Sequence, residues 1–275
     1  NFDLALTKLR ELSQPLGGIL STTGQRNLDV TTEQGNLVRL RLTDPAIVER
    51  VRQSVEQSIQ IIERRVNELG TVEPLIQRQG VDRVLVQVPG LQDPTRLKEL
   101  LGKTAKLDFR MVDTSIPAEQ ALQGRVPPDS EILYSSSQPK TPYLIEKRVL
   151  VSGGDLTDAQ PGFDQRTSEP IVSFRFNTSG ARKFAQTTQE NVGKPFAIVL
   201  DNEVISAPVI REPILGGSGQ ISGSFTVQSA NDLAILLRAG ALPAPLTIIE
   251  ERTVGPGLGQ DSIAKGKISS YIGAA

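Results

Sequence analysis

The sequence contains no cysteine, no histidine and no tryptophan, and aromatic residues make up only 4% of its 275 positions. Without cysteine there can be no disulfide framework, no thiol nucleophile and no thiolate metal site. Without histidine, the chain lacks the side chain most used for proton transfer near neutral pH and the commonest metal ligand. We therefore expect a non-enzymatic protein with no catalytic residue, no cofactor and no metal site.

An excess of charge of one sign is also missing. The chain has 30 Lys and Arg against 31 Asp and Glu, a formal net charge of -1. No basic run is interleaved with aromatic residues, as nucleic-acid binding would require, so we expect no nucleic-acid partner. No apolar run approaches the roughly 18 to 20 residues that span a bilayer, so we expect this fragment to be soluble.

The first 112 residues alternate between strand and helix patterns. Their apolar residues predict a strand at 36–42, a long helix from 44 to 69, strands at 72–79 and 83–88, a helix from 94 to 101 and a strand at 105–112. This order is that of a ferredoxin-like unit, in which a four-stranded antiparallel sheet carries both helices on one face. The predicted fold class is therefore α+β.

Prolines and a serine run interrupt this pattern between 113 and 142. Beyond them we predict strands at 145–151 and 171–176, a helix at 179–192 and a hairpin around Asp201-Asn202. Residues 231–248 then repeat the helix-to-strand pattern of 93–109, so a strand at 246–252 is expected to return to the first sheet. We predict a ferredoxin-like base subdomain (1–113, with a returning strand in 243–260), an inserted α+β head subdomain (114–242) and a connector (261–275).

Two local patterns suggest chemistry or binding. Gly102-Lys103-Thr104 looks like the end of a phosphate-binding loop, but Leu97 stands where that loop requires glycine, so no nucleotide site is expected. A hydrolase would need a convergent polar site that the sequence does not show.

The glycine-rich stretch 210–225 either presents an adaptable apolar surface or packs its apolar residues into the core of its own domain. These residues are Ile210, Ile214, Leu215, Ile221 and Phe225.

Several segments together resemble the SecD family of protein-export subunits. RVNELGTVEP at 65–74 and GVDRVLVQVPG at 80–90 are similar to that family's long helix and hairpin. AIVLD at 197–201, VISAP at 204–208 and GGSGQISG at 216–223 resemble its inserted region. LLRAGALPAP at 236–245, continuing through EERTVGP at 250–256, resembles the segment before its second membrane helix, which residues 268–275 would begin.

The resemblance implies a base near the membrane and a head that swings in the periplasm, on the outer side of the bacterial inner membrane. The implied partners are unfolded preprotein and, through the full-length protein, SecF and the SecYEG translocon. The head would hold the emerging preprotein while proton flow through a membrane part drives the motion. The predicted hinge comprises Val112, Asp113 and Thr114 on one crossing and Ala241, Leu242, Pro243 and Ala244 on the other.

Holding many different preproteins requires reversible contact with extended chains, through apolar surface or an open strand edge. The five apolar residues of 210–225 are the candidate preprotein-binding residues. Compared with the family, the sequence given lacks the first membrane helix and the Gly-Leu-Asp-Leu segment after it, so the base sheet is expected to be one strand short, with an exposed edge. The alternative is a porter-like periplasmic domain of an RND efflux transporter, which predicts a pocket lined with aromatics; no aromatic cluster is evident.

Overall fold

The structure, a computed structural model, describes residues 2–16, 25–33, 37–71, 73–91 and 94–253. Helices and strands mix throughout these ranges, which confirms the predicted α+β class. The elements that precede residue 103 are α1 (Phe2–Glu11), β1 (Leu28–Glu33), β2 (Leu37–Leu42), α2 (Asp44–Glu68), β3 (Leu75–Gln79), β4 (Arg83–Gln87) and α3 (Pro94–Gly102).

The second half of the chain is richer in strands. Its elements are β5 (Leu107–Val112), α4 (Ala118–Leu122), β6 (Ser130–Ser135), β7 (Pro142–Ser152), β8 (Leu156–Phe163), β9 (Pro170–Phe176), α5 (Thr178–Glu190), β10 (Phe196–Leu200), β11 (Glu203–Ser206), β12 (Ser218–Ile221) and α6 (Val227–Ala239). The predicted hairpin turn is present, since Asp201 and Asn202 adopt φ values of 49° and 67° between β10 and β11. Positive φ at both turn residues matches the right-handed twist of the two strands.

The long helix α2 begins where Thr43 caps it, because the Thr43 side chain accepts a hydrogen bond from the Ala46 amide. Buried residues recur along the second half of α2 at helical spacing, from Val55 through Ile62 to Val66. Arg65 lies on this buried stripe and is completely enclosed. The helix ends at Glu68, and Gly70 leaves it with a φ of 73°, a conformation that favours glycine.

The predicted order of strands and helices before residue 113 is confirmed, but the strands pair differently from a single ferredoxin-like sheet. Within the described ranges, β1 and β2 form one hairpin, β3 and β4 form another, and β5 pairs with β7 and β10. Strand β5 departs from the expected sheet because it is buried on both faces, one with Leu107 and Phe109 and the other with Asp108 and Arg110. We expected β5 in the base, and the structure instead places it among the strands that follow.

Strands β5, β7, β6, β11 and β10 close a five-stranded barrel. The β6–β11 contact is parallel and the other pairings are antiparallel. One hydrophobic cluster draws a residue from four of these strands, with Val112 of β5 packed against it, which indicates the barrel interior. Its buried members are Leu133, Ile145, Ala197, Val199 and Val204.

The main core also contains a cluster of phenylalanines that the sequence pattern did not reveal. Their ring centroids lie 5.1 to 6.4 Å apart, in tilted, edge-on and stacked pairs. They come from β5, β9, α5 and β10, which are far apart in the chain, so local periodicity could not indicate the cluster. Its members are Phe109, Phe174, Phe176, Phe184 and Phe196.

Residues 246–253 belong to a second unit of the chain and contain neither helix nor strand. The returning strand predicted at 246–252 is therefore not observed. A strand depends on pairing with a neighbour, and within the described ranges β1–β2 and β3–β4 are separate hairpins instead of the four-stranded sheet that this segment was expected to join. The predicted connector at 261–275 lies outside the described residues.

Candidate functional site

The glycine-rich stretch 210–225 divides into buried and exposed parts. Ile210 and Ile221 are 2% and 0% exposed and belong to the main core, and Ile214 and Phe225 pack against that core. Leu215 is 71% exposed. Of the two interpretations of this stretch, the core interpretation fits four of the five residues, and a binding role for Leu215 stays a prediction.

The same stretch contributes a strand edge. Strand β12 lies at one side of the three-stranded sheet β12–β9–β8, and the Phe176 amide donates to the Gly217 carbonyl at 2.8 Å. Because antiparallel pairs alternate, the backbone groups of Gly217, Gly219 and Ile221 point toward β9, and those of Ser218 and Gln220 point away from it. Among the described residues, no backbone group pairs with β12 on that outer side.

The opposite edge of this sheet, on β8, is partly obstructed. The same alternation turns the backbone groups of Ala159 and Pro161 outward. The Ala159 carbonyl accepts a hydrogen bond from Arg238 at 2.5 Å, and Pro161 has no N–H to offer. Proline and a side chain that occupies an edge carbonyl are devices that prevent strand addition. In the part of the chain that the structure describes, the β8 edge is thus obstructed at Ala159 and Pro161, and the β12 edge is open along its length.

A polar groove of about 440 Å³ crosses the outer face of this sheet. The strand register aligns its side chains in two rows, and they offer both hydrogen-bond donors and acceptors. The rows are Asp158, Arg175 and Ser218, and Gln160, Ser173 and Gln220.

On the core face, Gly219 lies against the Phe174 ring, where an added Cβ would stand 2.6 Å from Cζ. Glycine therefore lets β12 pack closely over the core.

A second groove, of about 320 Å³, lies beside the predicted hinge residues Val112, Asp113 and Thr114. Val112 is the last residue of β5, and Asp113 and Thr114 follow it. The Asp113 amide donates to the Leu144 carbonyl at 2.8 Å, and its carboxylate accepts from the Ser115 amide at 2.9 Å and from the Ser130 hydroxyl at 2.6 Å. Hydrogen bonds from Ser115 and Ser130 lower the pKa of Asp113.

The pairing of β5 moves the first chain crossing. We name residues 2–102 the base part and residues 107–239 the head part, because no strand before residue 103 pairs with a strand of the head part in the described ranges. The first crossing is then 103–106 and the second is 240–245. The predicted hinge segment 241–244 lies in the second crossing, whereas Val112–Thr114 lie at the other end of β5. Bending at either segment stays a prediction.

Arg65 of α2 reaches both crossings. Its Nη1 donates to the carbonyls of Leu100 at 2.6 Å and Lys103 at 2.5 Å, and its Nη2 donates to those of Thr104 at 3.2 Å and Gly240 at 3.1 Å. These carbonyls lie at the C-terminal ends of α3 and α6, where helix dipoles favour a cation. Burial lowers the pKa of Arg65 to about 10, and the charge of Asp201 opposes this shift. The guanidinium therefore stays charged at neutral pH.

Asp201 binds the first crossing from the head side. Its carboxylate accepts hydrogen bonds from the Thr104 hydroxyl and, at 2.9 Å each, from the amides of Ala105 and Lys106. The Asp201 amide donates back to the Lys106 carbonyl at 3.0 Å. The sequence indicates Asp201 only as a turn residue, because its hydrogen-bonded partners lie about a hundred residues earlier.

Two ion pairs add to the contact between α6 and the base part. Arg96 of α3 lies 2.7 Å from Asp232, and Arg238 lies 2.6 Å from Glu68 of α2. All four side chains are partly exposed, so each pair contributes modestly, about 1 kcal/mol or less. Together with Arg65, they tie three points along α6 and its end to the base part.

The site contains no sign of metal chemistry in the ranges that the structure describes, where no three acidic side chains come together as a cation site. In the same ranges, no helix is both long and apolar enough to cross a membrane.

Comparison with known proteins gives two family models that match in sequence order. Residues 55–114 match "Protein translocase subunit SecDF, P1 domain, N-terminal", and residues 130–244 match "SecDF, P1 head subdomain". The first match runs from the middle of α2 to just past β5, and the second runs from β6 to just past α6. Together with the fold, they define a domain of a protein translocase subunit.

Individual relatives agree. Protein translocase subunit SecD of Rickettsia bellii is 48% identical over 277 residues, covering 100% of this chain and 52% of that protein, and SecD of Acetobacter pasteurianus is 49% identical over 246 residues, covering 89% and 46%. A solved structure described as a membrane component SecDF that enhances protein export is 37% identical with a TM-score of 0.60, covering 74% of this chain and 94% of that one. SecDF in its super-membrane-facing form is 39% identical with a TM-score of 0.65, covering 81% and 31%. The chain belongs to the SecD family, and it spans about half the length of its curated relatives.

Proposed function

We propose that this chain is the periplasmic domain of a SecD subunit and that its head part holds translocating preprotein by adding an extended segment to the open edge of β12. The observation that supports this most directly is the outward direction of the Ser218 and Gln220 backbone groups. Unfolded preproteins differ in their side chains but share a backbone, and a strand edge recognises the backbone. Leu215 adds one exposed apolar contact beside the edge.

The size of this edge favours a weak and reversible hold. Two outward residues offer at most four backbone hydrogen bonds, and each contributes a net 0.5 to 1.5 kcal/mol, so the edge supplies roughly 2 to 6 kcal/mol before ordering costs. Dissociation constants in the millimolar range correspond to about 4 kcal/mol. A segment bound this weakly can be released again, as stepwise movement of a chain requires.

The wider role rests on the full-length protein. We propose that the domain works on the periplasmic side of the bacterial inner membrane, with SecF and the SecYEG translocon, to promote export driven by the proton-motive force. The head part would swing relative to the base part through bending at the two crossings. The proposed role is mechanical, without catalysis or a cofactor.

The test is photo-crosslinking in the full-length protein during export of a preprotein stalled halfway. A photo-reactive residue at Ser218, on the groove face beside the edge, should crosslink to the preprotein, and the same residue at Gln189 on the exposed side of α5 should not. Gln220→Pro removes one outward N–H and leaves the β9 ladder intact, so it should lower the Ser218 crosslink at least about fivefold. Gln220→Ala keeps the backbone and should retain the crosslink.

Two outcomes would contradict the proposal. Equal crosslinking in the Pro and Ala variants would show that the β12 backbone is not the binding group. Crosslinks from Gln189 and none from Ser218 would move the binding surface elsewhere on the head part and leave the export role in place.

The efflux alternative predicts a pocket lined with aromatics. The phenylalanine cluster instead fills the main core, and the two grooves described above contain one aromatic residue each, Phe174 and Tyr143. Membership of the SecD family also points away from small-molecule efflux.

A further inference from the structure

The first crossing contains a backbone conformation that its residue disfavours. Ala105 is buried and adopts a φ of 60°, in the left-handed region where a Cβ collides with the neighbouring carbonyl. Such a conformation persists only when surrounding contacts impose it. Ala105 directly precedes the segment that leads into β5, so its conformation sets the direction in which the chain enters the head part.

Contacts from both parts impose this conformation. From the base part, Arg65 holds the carbonyls of Lys103 and Thr104, just before Ala105. From the head part, the Asp201 carboxylate accepts the amides of Ala105 itself and of Lys106. The segment is thus gripped on both sides of the disfavoured residue.

The second crossing is tied into the same network. The Leu242 amide donates to the Thr104 carbonyl at 2.8 Å, and Arg65 also holds the Gly240 carbonyl at 3.1 Å. Thr104 therefore contacts the base part, the head part and the other crossing at once. A change in the backbone conformation of Ala105 would therefore alter both crossings between the base part and the head part.

We infer that Arg65 and Asp201 are positioning residues that hold Ala105 in its left-handed conformation and thereby set the orientation of the head part relative to the base part. The Arg65 hydrogen bonds are the permanent half of this network, because the side chain is completely enclosed and its two Nη atoms donate to four carbonyls. The hydrogen bonds to Asp201 are the half that can break, because Asp201 is half-buried at a hairpin turn. When the hydrogen bonds to the Asp201 carboxylate break, the backbone of Ala105 returns to one of the common φ/ψ regions. The head part then rotates relative to the base part.

This inference concerns orientation and does not depend on strand addition at β12, so the two can fail separately. The test uses the full-length protein in lipid nanodiscs, with spin labels at Glu63 on α2 and Gln189 on α5, both exposed. Pulsed electron resonance then gives the distance distribution between base part and head part. Photo-crosslinking at Ser218 reads preprotein contact independently.

Asp201→Asn removes the charge and places an amide donor beside two N–H groups. It should raise the population of a second distance about tenfold relative to the wild-type distance, the effect of losing one charge-assisted hydrogen bond. Glu203→Gln is the matched control, because Glu203 follows on the same hairpin and pairs with Lys140 outside the network. That variant should leave the distribution unchanged.

Ala105→Gly supplies a readout that simple destabilisation would not give. Glycine accepts positive φ without a Cβ collision, so adding Ala105→Gly to Asp201→Asn should move the distribution back toward that of the wild type. If Asp201→Asn does not fold, Thr104→Val replaces it, since it removes the hydroxyl that donates to Asp201 and keeps the shape. A folded Asp201→Asn or Thr104→Val variant with the wild-type distribution would overturn the inference, and so would a double variant that shows no return.

Discussion

Where the head part begins can be tested by cutting the chain. The predicted head subdomain starts at 114 and ends at 242, whereas the pairing of β5 calls for a start at 103. Two fragments with a common end after the second crossing, 114–245 and 103–245, test the two starts. The shorter fragment loses Leu107, Phe109 and Met111 from the main core and the strand that joins β7 to β10. We expect 103–245 to fold cooperatively and 114–245 not to fold.

The stability that the shorter fragment loses can be worked out from the side chains that β5 buries. Each of the three side chains contributes about 1.5 to 3 kcal/mol when fully buried, or roughly 5 to 9 kcal/mol together. Phe109 also meets four other rings, with centroids 5.2 to 6.4 Å away, and such contacts add about 0.5 to 1.5 kcal/mol each. The total, about 7 to 15 kcal/mol, is as large as the 5 to 15 kcal/mol that stabilises a typical domain.

Unfolding in urea is monitored by far-ultraviolet circular dichroism, because the chain has no tryptophan whose fluorescence could report it. Phe109→Ala in the 275-residue chain is the companion measurement and should lower the free energy of unfolding by about 3 to 5 kcal/mol. Equal unfolding free energies for 103–245 and 114–245 would refute the assignment of β5 to the head part. A Phe109→Ala cost below about 1 kcal/mol would refute the burial argument.

Three further predictions concern single residues. Arg65→Met should lower the free energy of unfolding by about 3 kcal/mol or more, measured by urea titration, since four carbonyls lose their donor; a wild-type midpoint would contradict this. Asp113 has a folded-state pKa below 3.8, so its stabilising contribution is present at neutral pH and is lost as pH falls through that pKa. The stability difference between wild type and Asp113→Asn should therefore shrink below pH 3.8, and a constant difference would count against it. Gly219→Ala should cost about 1 to 3 kcal/mol because its Cβ would meet a buried ring, whereas Gly216→Ala, with no atom nearer than 3.8 Å, should be nearly neutral in the same thermal unfolding experiment.

Local patterns predicted the individual elements well. The apolar stripe of α2, the Asp201-Asn202 turn and the helix that ends at Gly102 all depend on residues close in the chain, where periodicity and turn chemistry act directly. The pairing of β5 did not follow from its sequence. Its alternation of apolar and charged residues indicates one buried face, and only the barrel explains why Asp108 and Arg110 are buried as well.

The candidate sites were harder to predict. The stretch 210–225 was singled out for its apolar side chains, yet its open feature is the backbone edge of β12, which no side-chain pattern reveals. Arg65 and Asp201 bind backbone atoms between 35 and 175 residues away, and contacts of that kind leave no local signal. The family resemblance nevertheless indicated the export role without locating these contacts.

The obstructed positions on β8 make the two edges of the three-stranded sheet unequal. A sheet with two open edges can stack copies of itself without limit, which is how strand-rich proteins assemble into fibres. Here a strand adds more readily at β12 than at β8, because the β8 side carries Pro161 and an occupied carbonyl at Ala159. Continued stacking of this sheet through both of its edges is therefore disfavoured. An edge that accepts one strand while the opposite edge resists addition can bind an extended segment without promoting aggregation of the sheet.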